Sequence, residues 1–373
     1  MSFLGMLTCD EPPDPERGVS PRRCRWPQWL ALTAAAWALV LAGPEVVAAA
    51  TEAGAPAALA WVSNEDDGSV TAVDTRRLAV VATTPVGKRP RGLALSRDAT
   101  RLFVALSGVP KCPPPVPDEE CAKLPRDRAA DGVAVIDAAT LRVLEVFGGV
   151  SDPERLALSP DGRRLYVTDE DAARLTVLAA ADGRTIASVA VGREPEGVRA
   201  SADGRLVLVS SETDDSVAIV DARTLRVLRS VAVGKRPRDV AIAPDGRSAY
   251  VSGEADASVF RVALPAGRPA ARLVQLRKDA RPMAVVLDAT RGRLYVSTGR
   301  GGSVAVIAVA GGALVGEVAL GGRPWGLALN GDGRRLVAAN GPSGELAIID
   351  TETLAVLGKV RTGRGPWDVV AVR

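Results

Sequence analysis

The sequence predicts an all-β fold, a seven-bladed β-propeller of four-stranded blades whose ring is closed by the C-terminal strand joining an N-terminal partial blade. Three observations carry this. Prolines open a recurring unit at Pro90, Pro153, Pro195, Pro237, Pro282, Pro324 and Pro366, spaced by 63, 42, 42, 45, 42 and 42 residues, and about 40–45 residues is the period of a propeller blade. A strand motif recurs inside the unit as Leu165-Tyr166-Val167-Thr168, Tyr250-Val251-Ser252-Gly253 and Tyr295-Val296-Ser297-Thr298, and Asp-Gly-Arg stands ahead of this strand at 161–163, 203–205, 245–247 and 332–334. The two ends are complementary: residues 57–88 hold three strands and lack the opening one, and Pro366 to Arg373 is an opening strand with nothing after it.

The copy from Pro195 to Arg236 shows the elements. Gly197–Ala200 and Leu206–Ser210 flank Ala202-Asp203-Gly204, a turn whose glycine takes positive φ at little cost. Ser216–Val220 and Leu225–Val231 alternate across the Asp221-Ala222-Arg223-Thr224 turn. A single such sheet leaves an apolar face uncovered, so it must stack on copies of itself.

Taken in order, residues 1–50 form an export signal with an N-terminal extension. Arg22, Arg23 and Arg25 precede an apolar run from Trp29 to Ala42, and Ala48-Ala49-Ala50 offers a small-residue cleavage site. The run is shorter than the about 20 apolar residues of a comfortable span. Cleavage near Ala50 is therefore expected, with an uncleaved anchor as the alternative and the only expected membrane attachment. Arg22-Arg23 leaves the twin-arginine and general routes both open, because Cys24 and Arg25 follow where large apolar residues are wanted. Residues 51–56 are a short linker, and 57–373 the propeller. Leu59–Ser63, Ser69–Val73 and Ala79–Thr83 are the strands of the partial first blade.

The second blade carries an insertion at about 107–131 that includes Cys112 and Cys121. In an exported protein these two are expected to form a structural disulfide, ahead of a reactive pair, because the spacing is not Cys-x-x-Cys. The insertion is also a candidate for docking a partner.

Composition excludes several chemistries. The chain has no histidine, which removes Ser-His-Asp and Cys-His catalysis, His-ligated zinc and covalent c-type haem attachment. Aromatics are 3% of residues, so Val, Ala and Leu must fill the core. Net charge is +3 with the two signs interleaved, which gives no indication of nucleic acid.

The repeated strand motif, with blade-specific pieces such as Ser211-Glu212-Thr213 and Pro366-Trp367-Asp368, resembles the bacterial YVTN-type β-propeller repeat proteins. It is most similar to the propellers associated with PQQ-dependent alcohol catabolism, over roughly residues 57–373. The resemblance implies an exported protein beside a PQQ-linked oxidation system, with a periplasmic dehydrogenase or cytochrome as partner. A fold of this breadth does not carry an activity with it.

A site is expected at the channel mouth, where the loops entering the innermost strands meet those between second and third strands. The residue after each opening proline is Arg91, Glu154, Glu196, Arg238, Met283, Trp325 and Trp367. A second ring holds Glu65, Glu170, Glu212 and Glu254, with Gly299 and Gly341 at the matching places of the next two blades. One reading pairs Arg with Glu across blades and leaves the indoles as packing. The other binds a small planar anion or a partner's side chains, with Trp and Met as stacking surface and Arg91 and Arg238 as forks for carboxylates. PQQ is the candidate ligand; no cofactor is required, and no metal site or catalytic residue is assigned. A monomeric, periplasmic or secreted binding and assembly module is the expected function. A lactonase-like propeller hydrolase is the alternative, through a carboxylate base.

Overall fold

The computed structural model describes residues 58–111, 120, 123–265 and 269–372. They form seven four-stranded antiparallel sheets. The opening strands of blades 2 to 7 are Pro90–Leu95, Pro153–Leu158, Pro195–Ala200, Pro237–Ile242, Val285–Asp288 and Pro324–Leu329. Blade 1 is composite: Pro366–Ala371 pairs antiparallel with Leu59–Asn64, which continues into Ser69–Asp74 and Ala79–Pro85. The ring thus closes with backbone hydrogen bonds between the two ends of the propeller, as the complementary ends predict.

Several strands run one or two residues longer than expected, among them Pro195–Ala200 and Ala79–Pro85, and two other strands start late. Leu225 belongs to the turn, at φ 55°, and its strand runs Arg226–Ala232. In blade 6 the opening strand starts at Val285, beyond Pro282.

The Asp-Gly-Arg turns form as their chemistry dictates. In blade 4 the Asp203 carboxylate accepts from Ser201 Oγ at 2.6 Å and from the Arg205 amide at 3.0 Å, and Gly204 sits at φ 70°. Asp221 likewise accepts from the amides of Arg223 and Thr224 at 2.9 and 2.6 Å.

The core lies between blades. Seven apolar clusters each join one sheet to the next, built mainly of Val, Ala and Leu. Trp61, Tyr166, Tyr295 and Phe103 are its largest fully buried side chains. Trp61 satisfies its indole by donating to the Ala138 carbonyl of blade 2 at 3.2 Å.

A hydroxyl ties most junctions. Ser63, Thr168, Ser210, Ser252 and Ser297, all at the fifth place of their second strands, donate to the carbonyls of Arg91, Glu196, Arg238, Met283 and Trp325 on the next blade. Each also accepts an amide of its own blade's opening segment, from Asp368, Arg155, Gly197, Asp239 and Ala284. Blades 2 and 7 have Ala105 and Ala339 at this place.

The described ends of the insertion lie on the mouth face. Lys111 reaches Asp66 of blade 1 at 2.7 Å, Arg126 reaches Asp171 of blade 3 at 2.6 Å, and Lys88 reaches Asp127 at 2.5 Å. Cys112, Cys121, the export segment and the linker lie outside the described residues. Among the described residues no helix is long and apolar enough to cross a membrane.

Candidate functional site

The mouth divides into an acidic sector with two arginine hubs and an aromatic sector where Arg323 has no ion pair among the described residues. In the first, Arg91 is buried at 7% exposure and draws four carboxylates from two neighbouring blades. Its Nη1 lies 3.2 Å from Asp152, 3.1 Å from Glu170 and in contact with Glu154, and its Nε lies 3.8 Å from Glu65. Glu65 also holds Arg89 at 2.7 Å and Lys111 at 3.0 Å.

Arg238 is the second hub. Its Nε donates to Glu254 at 2.7 Å and its Nη1 contacts Glu196 and Glu212, while Arg236 contacts Glu212 from the loop above. The expected ring glutamates are therefore gathered on two guanidiniums, by cross-blade pairing for all but Glu254, which meets Arg238 within blade 5.

Charge is not balanced locally. Burial opposes ionisation of Glu65, but Arg89, Arg91 and Lys111 outweigh it and hold the carboxyl below its usual range. Burial of Glu254 is outweighed in the same way by Arg238, Arg236 and Arg323. Between the hubs the sign reverses. Burial, with the neighbouring Glu154 and Asp152, pushes Glu170 up to about 8 against the pull of Arg91. Burial and the carboxylates of Glu154, Glu212 and Glu170 raise Glu196 well above the carboxylate range, although Arg238 touches it. Like charges confined in a buried space cannot all ionise, so this sector holds protons near neutral pH.

The other sector holds Met283, Trp325 and Trp367. Met283 and Trp367 are buried, and Trp325 is half-buried. The indoles meet edge to face with centroids 5.9 Å apart. Arg323 lies over the Trp325 ring at 4.9 Å and Arg155 over the Trp367 ring at 4.8 Å. Arg323 forms no ion pair with any described residue, and its Nε and the Trp325 Nε1 are both buried without a hydrogen-bond partner there. Burial lowers the Arg323 pKa, and Arg300, Arg238 and Arg236 lower it further against the attraction of Glu254. The sector is short of negative charge.

Sequence reasoning passed over a deeper set of residues, two places after the opening prolines. Here Arg155, Asp239 and Asp368 stand in the channel, buried, where the other blades carry Gly92, Gly197, Ala284 and Gly326. Arg155 donates to Asp368 at 3.2 Å, and Asp368 accepts the Leu93 amide at 3.0 Å. Asp239 accepts from Arg199 at 3.4 Å and from the Val285 amide at 3.3 Å. The available signal was a charge in a register otherwise kept to Gly and Ala.

The chain resembles known proteins in part. Residues 126–266 match the family described as the cytochrome D1 heme domain. No curated protein sequence matches the chain. Among solved structures it is similar to the hydrazine synthase of Kuenenia stuttgartiensis, at 20% identity over 77% of this chain and 90% of that one, with a TM-score of 0.62. It is similar to a candidate 6-phosphogluconolactonase from Bacteroides uniformis, at 16% identity over 85% and 100%, with a TM-score of 0.69. It is also similar to the dihydro-heme d1 dehydrogenase NirN in complex with DHE, at 19% identity over 83% and 64%, with a TM-score of 0.56. At these identities the likeness establishes the fold: the chain is a seven-bladed β-propeller, similar over its middle blades to the cytochrome D1 heme domain.

Proposed function

We propose that this protein is a binding module whose channel mouth takes a planar aromatic polycarboxylate, and that it serves a periplasmic oxidation system. The carrying observation is the sector of Arg323, Arg300 and Trp325, where guanidinium charge beside an indole face has no carboxylate within ion-pair reach among the described residues. A planar anion would stack on Trp325 and supply the missing acceptors.

PQQ has this chemistry, and so has a tetrapyrrole with its carboxylate side chains. The first is favoured by the resemblance of the blade motifs to the PQQ-associated propellers. The second is favoured by the match to the cytochrome D1 heme domain and by the likeness to NirN, which was solved with DHE. The residues do not fit iron ligation by imidazole, because the chain has no histidine. Among the described residues no group of three or more potential ligands is placed to hold a metal ion. The site is therefore read as taking the ring plane and its carboxylates. A dehydrogenase or cytochrome would be the partner that supplies or receives the ligand, with export by the N-terminal segment.

The test is Trp fluorescence of the propeller titrated separately with PQQ and with a metal-free porphyrin dicarboxylate. Trp325→Ala and Arg323→Ser are the comparison variants. Saturable quenching that both variants weaken supports the site, and the arm that saturates identifies the source. Quenching that is linear, or equal in wild type and variants, removes it. Trp367 is left intact because it is buried beneath Arg155.

A lactone hydrolase is the second reading. It rests on Glu170, whose side chain is 27% exposed and whose carboxyl stays protonated up to about pH 8, as a general acid requires. Turnover of a phosphorylated or plain sugar lactone that Glu170→Gln abolishes would establish it, and no turnover would remove it.

A further inference from the structure

The face opposite the mouth carries the turns between first and second strands and between third and fourth strands. Arginine is the majority charge in these turns. Arg163, Arg205, Arg247 and Arg334 each close an Asp-Gly-Arg turn and are exposed. Their partner aspartates face back into the turn: Asp161, Asp203, Asp245 and Asp332 accept the arginine amides at 3.1, 3.0, 2.9 and 2.8 Å. Only Arg205 of the four comes within ion-pair reach of a described carboxylate, at 3.7 Å. The aspartates are exposed as well, but each is engaged by its own turn, whereas only one of the four guanidiniums has a carboxylate within ion-pair reach among the described residues.

Two hollows on this face are lined by the same groups. One, where blades 7 and 1 meet, is formed by Arg76, Arg334 and Arg335 with Asp332 and Asp350. Both aspartates in it are engaged by turn amides, and the Arg335 Nε has no hydrogen-bond partner among the described residues. The other is bordered by Arg205 and Arg223 beside Leu228 and Pro265. The chain also enters the propeller here. Leu59 begins its strand on this face, beside Val372, and Thr75 bonds the Ala58 carbonyl. The sequence upstream of that point holds the Arg22, Arg23 and Arg25 cluster and the apolar run from Trp29 to Ala42.

We propose that this arginine-bearing face docks on the phosphate surface of an anionic lipid bilayer, which leaves the channel mouth facing away from it. Arginine suits phosphate through paired N–H donors, and each basic group near an anionic bilayer strengthens binding about fivefold. The choice of a bilayer over nucleic acid rests on the export reading above, since lipid phosphate is the polyanionic surface an exported protein meets.

The test uses the unit 56–373, whose sheets and inter-blade clusters close among residues 58–372. It is sedimented with phosphatidylcholine vesicles, with vesicles containing phosphatidylglycerol, and separately titrated with duplex DNA. The expected result is binding to the phosphatidylglycerol vesicles alone, lost at high salt. Joint Arg163→Glu, Arg205→Glu, Arg247→Glu and Arg334→Glu should weaken it at least about tenfold, and Trp325→Ala should leave it unchanged. The four Arg→Gln versions, which keep the turn amides, should weaken it in the same direction if the Glu set fails to fold. No binding to anionic vesicles at low salt, or equal binding by the folded variants, overturns the proposal. Tighter binding to DNA than to lipid also overturns it and assigns the face to nucleic acid.

Discussion

Arg155 and Asp368 form a buried ion pair, 3.2 Å apart, that spans an intervening blade. Arg155 is on blade 3 and Asp368 on the closing strand of blade 1, and the strand between them presents Gly92 at that level. Asp368 and the neighbouring Asp239 outweigh the cost of burying Arg155 and raise its pKa. The pair fastens the closing strand to a blade that it does not touch through sheet hydrogen bonds. Asp368→Ala leaves an uncompensated buried guanidinium and an unmet Leu93 amide, and should cost about 3–5 kcal/mol of stability. Asp368→Asn, which can still accept from Leu93, should cost less. Urea denaturation orders the two variants.

Gly92 is required by proximity alone. A Cβ there would lie 2.6 Å from the Arg155 Cα and 2.7 Å from the Glu154 carbonyl, both backbone atoms that cannot rotate away. Gly92→Ala should destabilise by about 1–3 kcal/mol, seen as a lowered thermal midpoint, whereas Gly162→Ala, with open space around it, is strained only by its φ of 70°.

The junction hydroxyls should behave as buried connectors. Ser252→Ala removes the donor to the Met283 carbonyl, held at 2.6 Å, and the acceptor of the Asp239 amide, at 3.0 Å. Two buried backbone groups then lack partners, at a cost of about 1–3 kcal/mol each when unrelieved. Ser252→Thr, which matches Thr168 of blade 3, should recover most of the loss in the same denaturation measurement.

Stability should fall as pH rises from about 4.5 to about 8. Glu170 has its folded pKa raised from 4.5 to about 8, so through that window the unfolded chain ionises this carboxyl first and the folded state retains the proton. Glu196 acts in the same direction. Glu65 and Glu254, with lowered values, act oppositely, and their contribution is lost only as pH drops below 4.5. Glu170→Gln should flatten the decline between pH 5 and 8 and gain on the wild type at pH 8. Midpoints across a pH series measure it.

Much of the fold was legible because turns and strand motifs repeat in register. Asp203 and Asp221 announce their turns locally, and the proline spacing counts blades without reference to packing. The mouth was legible as a ring of positions and not as an arrangement. Which glutamates would gather on Arg91 rather than Arg238 depends on side chains crossing blades, and nothing local encodes that. Arg155, Asp239 and Asp368 escaped notice because one charge among glycines stands out only after the copies are stacked. Arg323 was visible as a residue before a proline, but its lack of an ion pair among the described residues is a property of its neighbours in space.

The two junctions that carry Ala105 and Ala339 divide the annulus into arcs of unequal length, blades 1 and 2 against blades 3 to 7. The Arg91 hub bridges one joint and the indoles of Trp325 and Trp367 bridge the other. Both joints also hold an apolar cluster, and other hydroxyls cross them, Ser107 to Asp152 at the first and Thr71 to the Thr362 carbonyl at the second. A molecule seated against the two indoles would touch blade 7 and the closing strand at once, so its binding energy would add to the lock that holds the annulus shut.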